Sequence, residues 1–230
     1  MIYSDRVCSA EETLERVAPL LATHGITRLA RITGLDRIGI PVWNAIRPNA
    51  RSIAIHQGKG IRDIDAKVSA TMEALERAVA EDPIIRTRET SIAKLNAEGA
   101  RSEALNGLIG AGQPPLQPLD VLGWVQGYDL ASDQDVWVPE DAVRLDRTRP
   151  TRFWQSSDGL ASGNTEDEAI FHALLERIER DAETLWQLEP VGKRTTTAID
   201  PRSFHDPVIA HLIDRIEAAA FRLQLFDITS

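Results

Sequence analysis

Two stretches of this 230-residue chain space their glutamates so that several carboxylates share one side of a helix. The longer is Thr165 to Trp186, TEDEAIFHALLERIERDAETLW. At about 100° per residue, Glu168, His172, Glu176, Glu179 and Glu183 fall within a sector of about 80°, with Arg180 beside it. Ile170, Leu174, Ile178 and Leu185 fall on the far side, and Phe171, Leu175 and Ala182 extend that apolar face. Like charges three or four residues apart repel by about 0.2–0.5 kcal/mol each. Such a stripe is therefore either solvated or used by a cation. His172 sits within it, as a proton carrier or as a structural histidine bonded to a neighbouring carboxylate.

The second stretch is an echo of the first. Shifting the sequence by 103 residues places Ala66, Ala70, Glu73, Glu76 and Arg77 on Ala169, Ala173, Glu176, Glu179 and Arg180. Each helix carries E-x-x-E-R, and each follows a glycine-containing polar segment, QGKG at 57–60 and DGLASGN at 158–164. Long-period self-similarity points to a duplicated unit or a pseudo-symmetric site. Against this, a single E-x-x-E is usually a solvated face, and Thr165-x-x-Glu168 also reads as a capping box.

If the glutamates converge, they need a cation to stay ionised together. Ligands that are all oxygen favour a hard ion such as Mg²⁺, which keeps waters and bridges to phosphate oxygens. The loop at 159–164 leads into a helix N-terminus, where backbone N–H groups favour an anion. Arg180 and Lys59 add positive charge. Carboxylates, Mg²⁺ and an anion cradle together describe a site for a nucleoside triphosphate. The chain has no G-x-x-x-x-G-K-[ST], so the site is not a Walker-type P-loop.

Bulk composition narrows the classes. A net charge of −9 and a pI near 5.1 exclude a general nucleic-acid binder, which needs a basic footprint. One cysteine, Cys8, excludes an intrachain disulfide and a multi-cysteine zinc site. The N-terminus has no signal-peptide pattern and no apolar run reaches about 18 residues, so the expectation is a cytoplasmic protein that does not enter a membrane.

The elements that must position these residues follow in order. Ser9–Thr23 reads as a helix with a Ser9/Glu12 capping box, a Pro19 kink and a Gly25 stop. Thr27–Thr33, Ile40–Arg47 and Arg51–His56 read as strands, and Gln57–Gly60 as a flexible turn. A helix over Arg62–Glu81 shows an apolar face at Val68, Met72, Leu75 and Val79. Ser69 shares its other sector with Glu73 and Glu76. Ile84–Glu89 reads as a strand, and 91–118 as loop with a short helix at 102–108. Leu119–Leu130 and Asp135–Val138 form a hairpin, and a brief strand follows Pro150. Beyond the long helix, Thr195–Ile199 reads as a strand, Asp206–Ala220 as a helix and Arg222–Ile228 as a final strand. The pattern is α+β, a mixed, largely antiparallel sheet packed with helices, in a single domain over 1–230.

The segments TGLDRIGIPVWNAIRP, QGKGIRDIDAKVSATMEALER and SSDGLASGNTEDEAIFHALLERIERDA resemble the YcaO family, from about Arg6 to the C-terminus. The resemblance implies ATP and Mg²⁺ bound between glutamate-bearing helices. It also implies activation of a peptide backbone amide oxygen by phosphorylation. A Cys, Ser or Thr side chain then attacks to give an azoline, or a sulfur donor to give a thioamide. Carried over by position, Glu73, Glu76, Glu168, Glu176 and Glu179 match the family's Mg²⁺ ligands. Asn164 and Arg180 match nucleotide contacts, and Arg6 and Thr13 match a basic residue and a hydroxyl near the phosphates.

Three departures stand out. Asp158 replaces the usual Asn, Ala161 replaces a serine that some members offer the nucleotide, and the chain stops before a C-terminal part that supplies a further Arg and Glu. The last departure implies a C-terminally truncated chain with an incomplete ATP site. ITGLDRIGIPV resembles members paired with a TfuA-like protein, which are linked to thioamide formation. The partners implied are a peptide or protein substrate and a TfuA-like protein, with a homodimer left open. The competing reading is a truncated module that binds nucleotide or a partner without catalysis. A di-metal helical protein would want Glu-x-x-His motifs on facing helices, which this chain lacks.

Overall fold

The computed structural model describes residues 6–229. Its elements in chain order are α1 (Ala10–Val17), α2 (Leu20–Thr23), β1 (Arg28–Arg31), β2 (Val42–Ile46), β3 (Ile55–Lys59) and α3 (Asp63–Glu81). There follow β4 (Thr87–Thr90), α4 (Ile92–Ala97), β5 (Leu122–Asp129), β6 (Gln134–Pro139) and α5 (Glu140–Val143). The last are α6 (Glu166–Leu188), α7 (Val191–Thr196), β7 (Ala198–Ile199), α8 (Pro207–Ala218) and β8 (Leu225–Phe226). Contacts group the chain into two compact units. The first holds 1–48, 55–76 and 158–230, and the second holds 49–54 and 77–157.

The first unit is built on the antiparallel sheet β1-β2-β3, with Ala45 opposite His56 and Trp43 opposite Gly58. Its core joins Val17, Ile26, Ala45, Ala70, Ala74 and Leu75, with Leu21, Leu29, Trp43 and Met72 packed against it. α1 starts as its sequence predicts: Glu12 N–H donates to Ser9 Oγ, and the Glu12 carboxylate accepts from Ser9 N–H at 2.8 Å. Pro19 breaks the helix rather than kinking it, and a separate turn, α2, begins after it.

Gln57, Gly58 and Lys59 lie within β3 and do not form a turn. The reason is steric. A methyl group on Gly58 would lie 2.1 Å from Ala70 N and 2.2 Å from Ala66 O, so the strand rests directly on the backbone of α3. Glycine serves here for close approach, a use that local sequence cannot tell from turn formation. The buried side of α3 is wider than its expected apolar face. Ala66, Ala70, Ala74 and Ala78 are buried with Leu75, whereas Val79 is 51% exposed. Alanines four residues apart make a seam thin enough for a strand to lie on.

α6 presents an unexpected side to the fold. Glu168 is its one buried residue among those described, and Ala169, Ala173, Glu176 and Glu183 are half-buried. Along the apolar face, Leu174 is 46%, Ile178 66% and Leu185 48% exposed. The fold thus covers part of the alanine and carboxylate side, around Glu168, Ala169, Ala173 and Glu176, while His172 and Glu179 on that side stay exposed and Ile170 on the apolar face is half-buried. α7 occupies the start of the stretch read as a strand, leaving only the short pair β7-β8.

The second unit is the antiparallel sheet β4-β5-β6. The β5-β6 hairpin matches its sequence reading, with Asp129 opposite Gln134 at the turn. Fully buried Trp124 donates its indole N–H to Thr90 O at 3.0 Å. The expected helix at 102–108 is instead α4, capped by Ser91, plus a short 3-10 turn at Asn106–Leu108. Phe153 forms only an isolated bridge with Ile109, in place of the brief strand after Pro150.

The Gly58 contact gives a test. Gly58→Ala should cost about 3 kcal/mol or more in urea unfolding, as overpacking against backbone does. Gly34→Ala, whose methyl would meet nothing within 4 Å, should stay within about 0.5 kcal/mol. Equal losses at the two positions would contradict the close-approach account.

Candidate functional site

All nine expected site residues fall in the first unit. α3 carries Glu73 and Glu76, α6 carries Glu168, Glu176, Glu179 and Arg180, and the segment before α1 and α1 itself carry Arg6 and Thr13. Asn164 ends the loop that enters α6. The structure links most of them through a continuous set of contacts.

Glu168 is the most constrained member. Its side chain is 6% exposed and accepts from Arg6 Nη1 at 2.8 Å and from Val7 N–H at 3.4 Å. Thr165 Oγ accepts from Glu168 N–H at 3.2 Å, so the hydroxyl half of the capping box forms while the carboxylate turns to Arg6. Burial pushes the Glu168 carboxyl upward, but the Arg6 bond, the Val7 and Asn164 N–H groups and the Arg6 charge outweigh it. The net direction is below the ordinary carboxylate range.

Thr13 is buried, with Oγ1 2.9 Å from Ser9 O and 3.2 Å from Asn164 Oδ1. Its one hydroxyl proton serves one of these acceptors at a time. Arg16 Nη1 donates to Asn164 O at 3.4 Å, placing a second guanidinium beside the α6 N-terminus. Arg16 escaped the sequence reading. The available signal was its place one helical turn after Thr13 on the same short helix.

The loop at 158–164 joins the two glutamate-bearing helices. Ser162 Oγ donates to Glu76 Oε2 at 3.1 Å, and Gly159 N–H donates to Glu176 Oε2 at 3.3 Å. Gly159 has φ +79°, and a methyl there would meet Arg177 Cδ at 2.9 Å, so the loop lies against α6. On α3, Glu73 Oε2 accepts from Gln57 N–H at 3.1 Å. Arg180 pairs with Glu183 at 3.1 Å, lies 3.8 Å from Glu176 and 4.0 Å from Asp158, and Arg177 lies 3.6 Å from Asp158. The negative charge that Asp158 adds therefore stands between two guanidinium groups. The Glu183 hydrogen bond and the charges of Glu176, Glu179 and Glu183, against some desolvation, raise the Arg180 pKa, so the group stays charged.

Glu179, His172, Ser69 and Lys59 are exposed. Among the described residues, no three acidic, histidine or cysteine side chains gather closely enough to hold a metal ion. Glu73, Glu76, Glu168 and Glu176 are engaged by N–H, O–H or guanidinium groups. The donor set nevertheless fits Mg²⁺ and a phosphate chain in kind: oxygen ligands alone come from α3 and α6, and Arg6, Arg16 and Arg180 supply positive charge. The first turn of α6 already holds Glu166, Asp167 and Glu168. A phosphate approaching that N-terminus without a cation would meet net negative charge. A cleft of about 380 Å³ in the second unit, lined by Asp120, Val121, Arg152 and Phe153 among others, contains none of these residues.

A mixed α+β fold with carboxylate-bearing helices and no Walker loop defines the class. The family model described as YcaO cyclodehydratase, ATP- and Mg²⁺-binding, matches residues 57–230. An uncharacterized protein in the tfuA 3′ region of Rhizobium leguminosarum bv. trifolii is 39% identical over 230 residues, covering 99% of this chain and 54% of that protein. An uncharacterized protein of Methanothermobacter thermautotrophicus is 36% identical over 225 residues, covering 95% and 56%. The chain thus spans about half the length of these curated relatives. The structure of YcaO from Methanopyrus kandleri bound with AMPPCP and Mg²⁺ aligns with a TM-score of 0.60 and 28% identity, over 79% of this chain and 45% of that one. A heterocyclase in complex with substrate and cofactor shares the fold, with a TM-score of 0.79 and 21% identity over 98% of this chain and 34% of that one.

This chain belongs to the YcaO family, whose cofactors are ATP and Mg²⁺. Among the described residues no helix is long and apolar enough to cross a membrane.

The Glu168 environment yields a pH test in metal-free buffer. A depressed folded-state pKa stabilises the fold above the unfolded value, near 4.5, and that contribution is lost as pH falls through the lower folded value. Glu168→Gln should therefore cost stability at pH 7, and the gap to the parent chain should shrink by pH 3. A gap independent of pH would show that folding does not lower this carboxyl's pKa.

Proposed function

We propose that this chain forms the nucleotide- and Mg²⁺-binding part of an enzyme that activates a peptide backbone amide oxygen at the expense of ATP. The observation that carries the reading is the loop at 158–164, tied to α3 through Ser162–Glu76 and to α6 through Gly159–Glu176. One loop, ending at Asn164, thus bonds to a glutamate of each E-x-x-E helix. Glu73, Glu76, Glu168, Glu176 and Glu179 would hold Mg²⁺, and Asn164, Arg180, Arg6 and Thr13 would hold the nucleotide. ATP with Mg²⁺ supplies the phosphoryl group that turns the amide oxygen into a leaving group. The chain's own part is positioning and charge compensation, which is where proteins contribute most to phosphoryl transfer. Arg6 and Arg180 would trade a carboxylate partner for phosphate oxygens, while the carboxylates they leave would turn to the metal.

Peptide as the substrate class is supported by family membership. Thioamide formation with a TfuA-like partner is the favoured outcome because a 39% identical relative is a protein in the tfuA 3′ region. Azoline formation is the alternative product. A second reading, a nucleotide- or partner-binding module without catalysis, is favoured by one observation: the carboxylates do not gather into a metal-ready group among the described residues.

Calorimetric titration separates these readings at the level of the site. In Mg²⁺ the chain should bind ATP, and Glu76→Gln with Glu179→Gln should weaken binding about 100-fold or more, as losing two charged ligands does. Unchanged affinity would remove these glutamates from the site. Arg180→Ala should raise the Kd about tenfold or more. Its ligand-free melting temperature should hardly move, because the guanidinium is 44% exposed and its ion pairs, with partly exposed carboxylates, are solvent-screened. A large drop in melting temperature with unchanged Kd would make Arg180 structural.

A further inference from the structure

The 103-residue repeat is three-dimensional as well as sequential. A methyl on Gly60 would lie 2.6 Å from Ala66 N and 2.6 Å from Asp65 Cβ. A methyl on Gly163 would lie 2.7 Å from Ala169 N and 2.9 Å from Glu168 Cβ. Gly60 and Gly163, Ala66 and Ala169, and Asp65 and Glu168 are all related by the same shift. Each incoming segment therefore presses on its helix at the same place and equally closely.

The two segments are also held in the same way. Glu73 Oε2 accepts the N–H of Gln57, 16 residues before it, and Glu176 Oε2 accepts the N–H of Gly159, 17 residues before it. One segment is a strand and the other a loop, so shared secondary structure does not explain the coincidence. What they share is the first glutamate of E-x-x-E.

We infer that Glu73 and Glu176 are positioning residues that fasten the two glycine segments to their helices before any ligand arrives, each through one carboxylate oxygen. The loop at 158–164 is then strapped twice, to α6 through Glu176 at Gly159 and to α3 through Ser162 at Glu76. Asn164 follows two residues after that second strap and meets Thr13. Loosening Gly159 releases one end of the strap that sets Asn164. The inference deepens the nucleotide-site reading, yet its main readout needs no nucleotide.

The experiment is amide hydrogen exchange on the full chain without metal or nucleotide, comparing Glu176→Ala with Glu176→Gln. A glutamine carbonyl still accepts an N–H, whereas alanine accepts nothing. Glu176→Ala should speed exchange at Gly159 and across 159–164 about tenfold or more, and Glu176→Gln should restore most of the protection. Glu73→Ala and Glu73→Gln should repeat the pattern at Gln57. Amides of β1 and β2 report whether an alanine variant is unfolded globally; if it is, the glutamine variant and the Glu73 pair decide.

Parent-like exchange in the alanine variants would overturn the inference. Equal acceleration in alanine and glutamine variants would also overturn it, because charge and not the N–H bond would then be what matters. Titration with Mg²⁺ and ATP gives the second readout, with alanine weakening affinity more than glutamine. Absence of ATP binding in the parent chain would sink the nucleotide reading and leave the exchange result standing.

Discussion

A carboxylate that leaves water must be met by donors, and this constraint organises the first unit. Glu168 is the clearest case, at 6% side-chain exposure on a helix whose apolar face stands 46–66% exposed at Leu174, Ile178 and Leu185. An unmet buried carboxylate would cost several kcal/mol. Arg6 and the Val7 N–H remove that cost by crossing about 160 residues of sequence. Glu76 and Glu176 draw Ser162 and Gly159 toward α3 and α6 in the same manner. The acidic stripe thus acts as a set of acceptors that pulls the N-terminal segment and the glycine loop onto the helices.

The interactions that order the ligand-free chain are therefore those a ligand would have to exchange. Arg6 bonded to Glu168, and Arg180 near Glu176 and Asp158, already pair the cationic and anionic groups of the site with one another. Exchange of partners of this kind changes net charge little, because a divalent cation and a phosphate chain arrive together. Each glutamate that is drawn inward is individually answered.

Local signals made part of this legible in advance. The Ser9/Glu12 capping box, the β5-β6 hairpin and the extents of α3, α6 and α8 followed from capping residues, alternation and period. The paired E-x-x-E motifs and the loop at 158–164 were equally plain, because that signal is a spacing and survives without tertiary information. Periodicity reports that a helix has two faces but not which one the fold covers. On α3 the fold covers the alanine seam Ala66–Ala70–Ala74–Ala78 together with Leu75 and Met72 of the expected apolar face, and on α6 it covers Glu168 and, in part, Ala169, Ala173 and Glu176. Gly58 read as a turn because glycine's two uses, positive φ and close approach, share one letter. Ser162, Arg16 and Arg177 were hidden for a related reason: each acts through a partner on another element, and nothing local marks a serine or arginine for that.

The central claim is that the two E-x-x-E helices together hold a nucleotide-bound divalent ion. The most direct measurement is an anomalous difference map from crystals grown with Mn²⁺ in place of Mg²⁺ and the non-hydrolysable analogue AMPPCP. The account predicts a metal peak contacted by Glu76 of α3 and Glu179 of α6, with phosphate oxygens completing its shell. A peak held by one helix alone, or nucleotide bound away from Asn164 and Arg180, would contradict it.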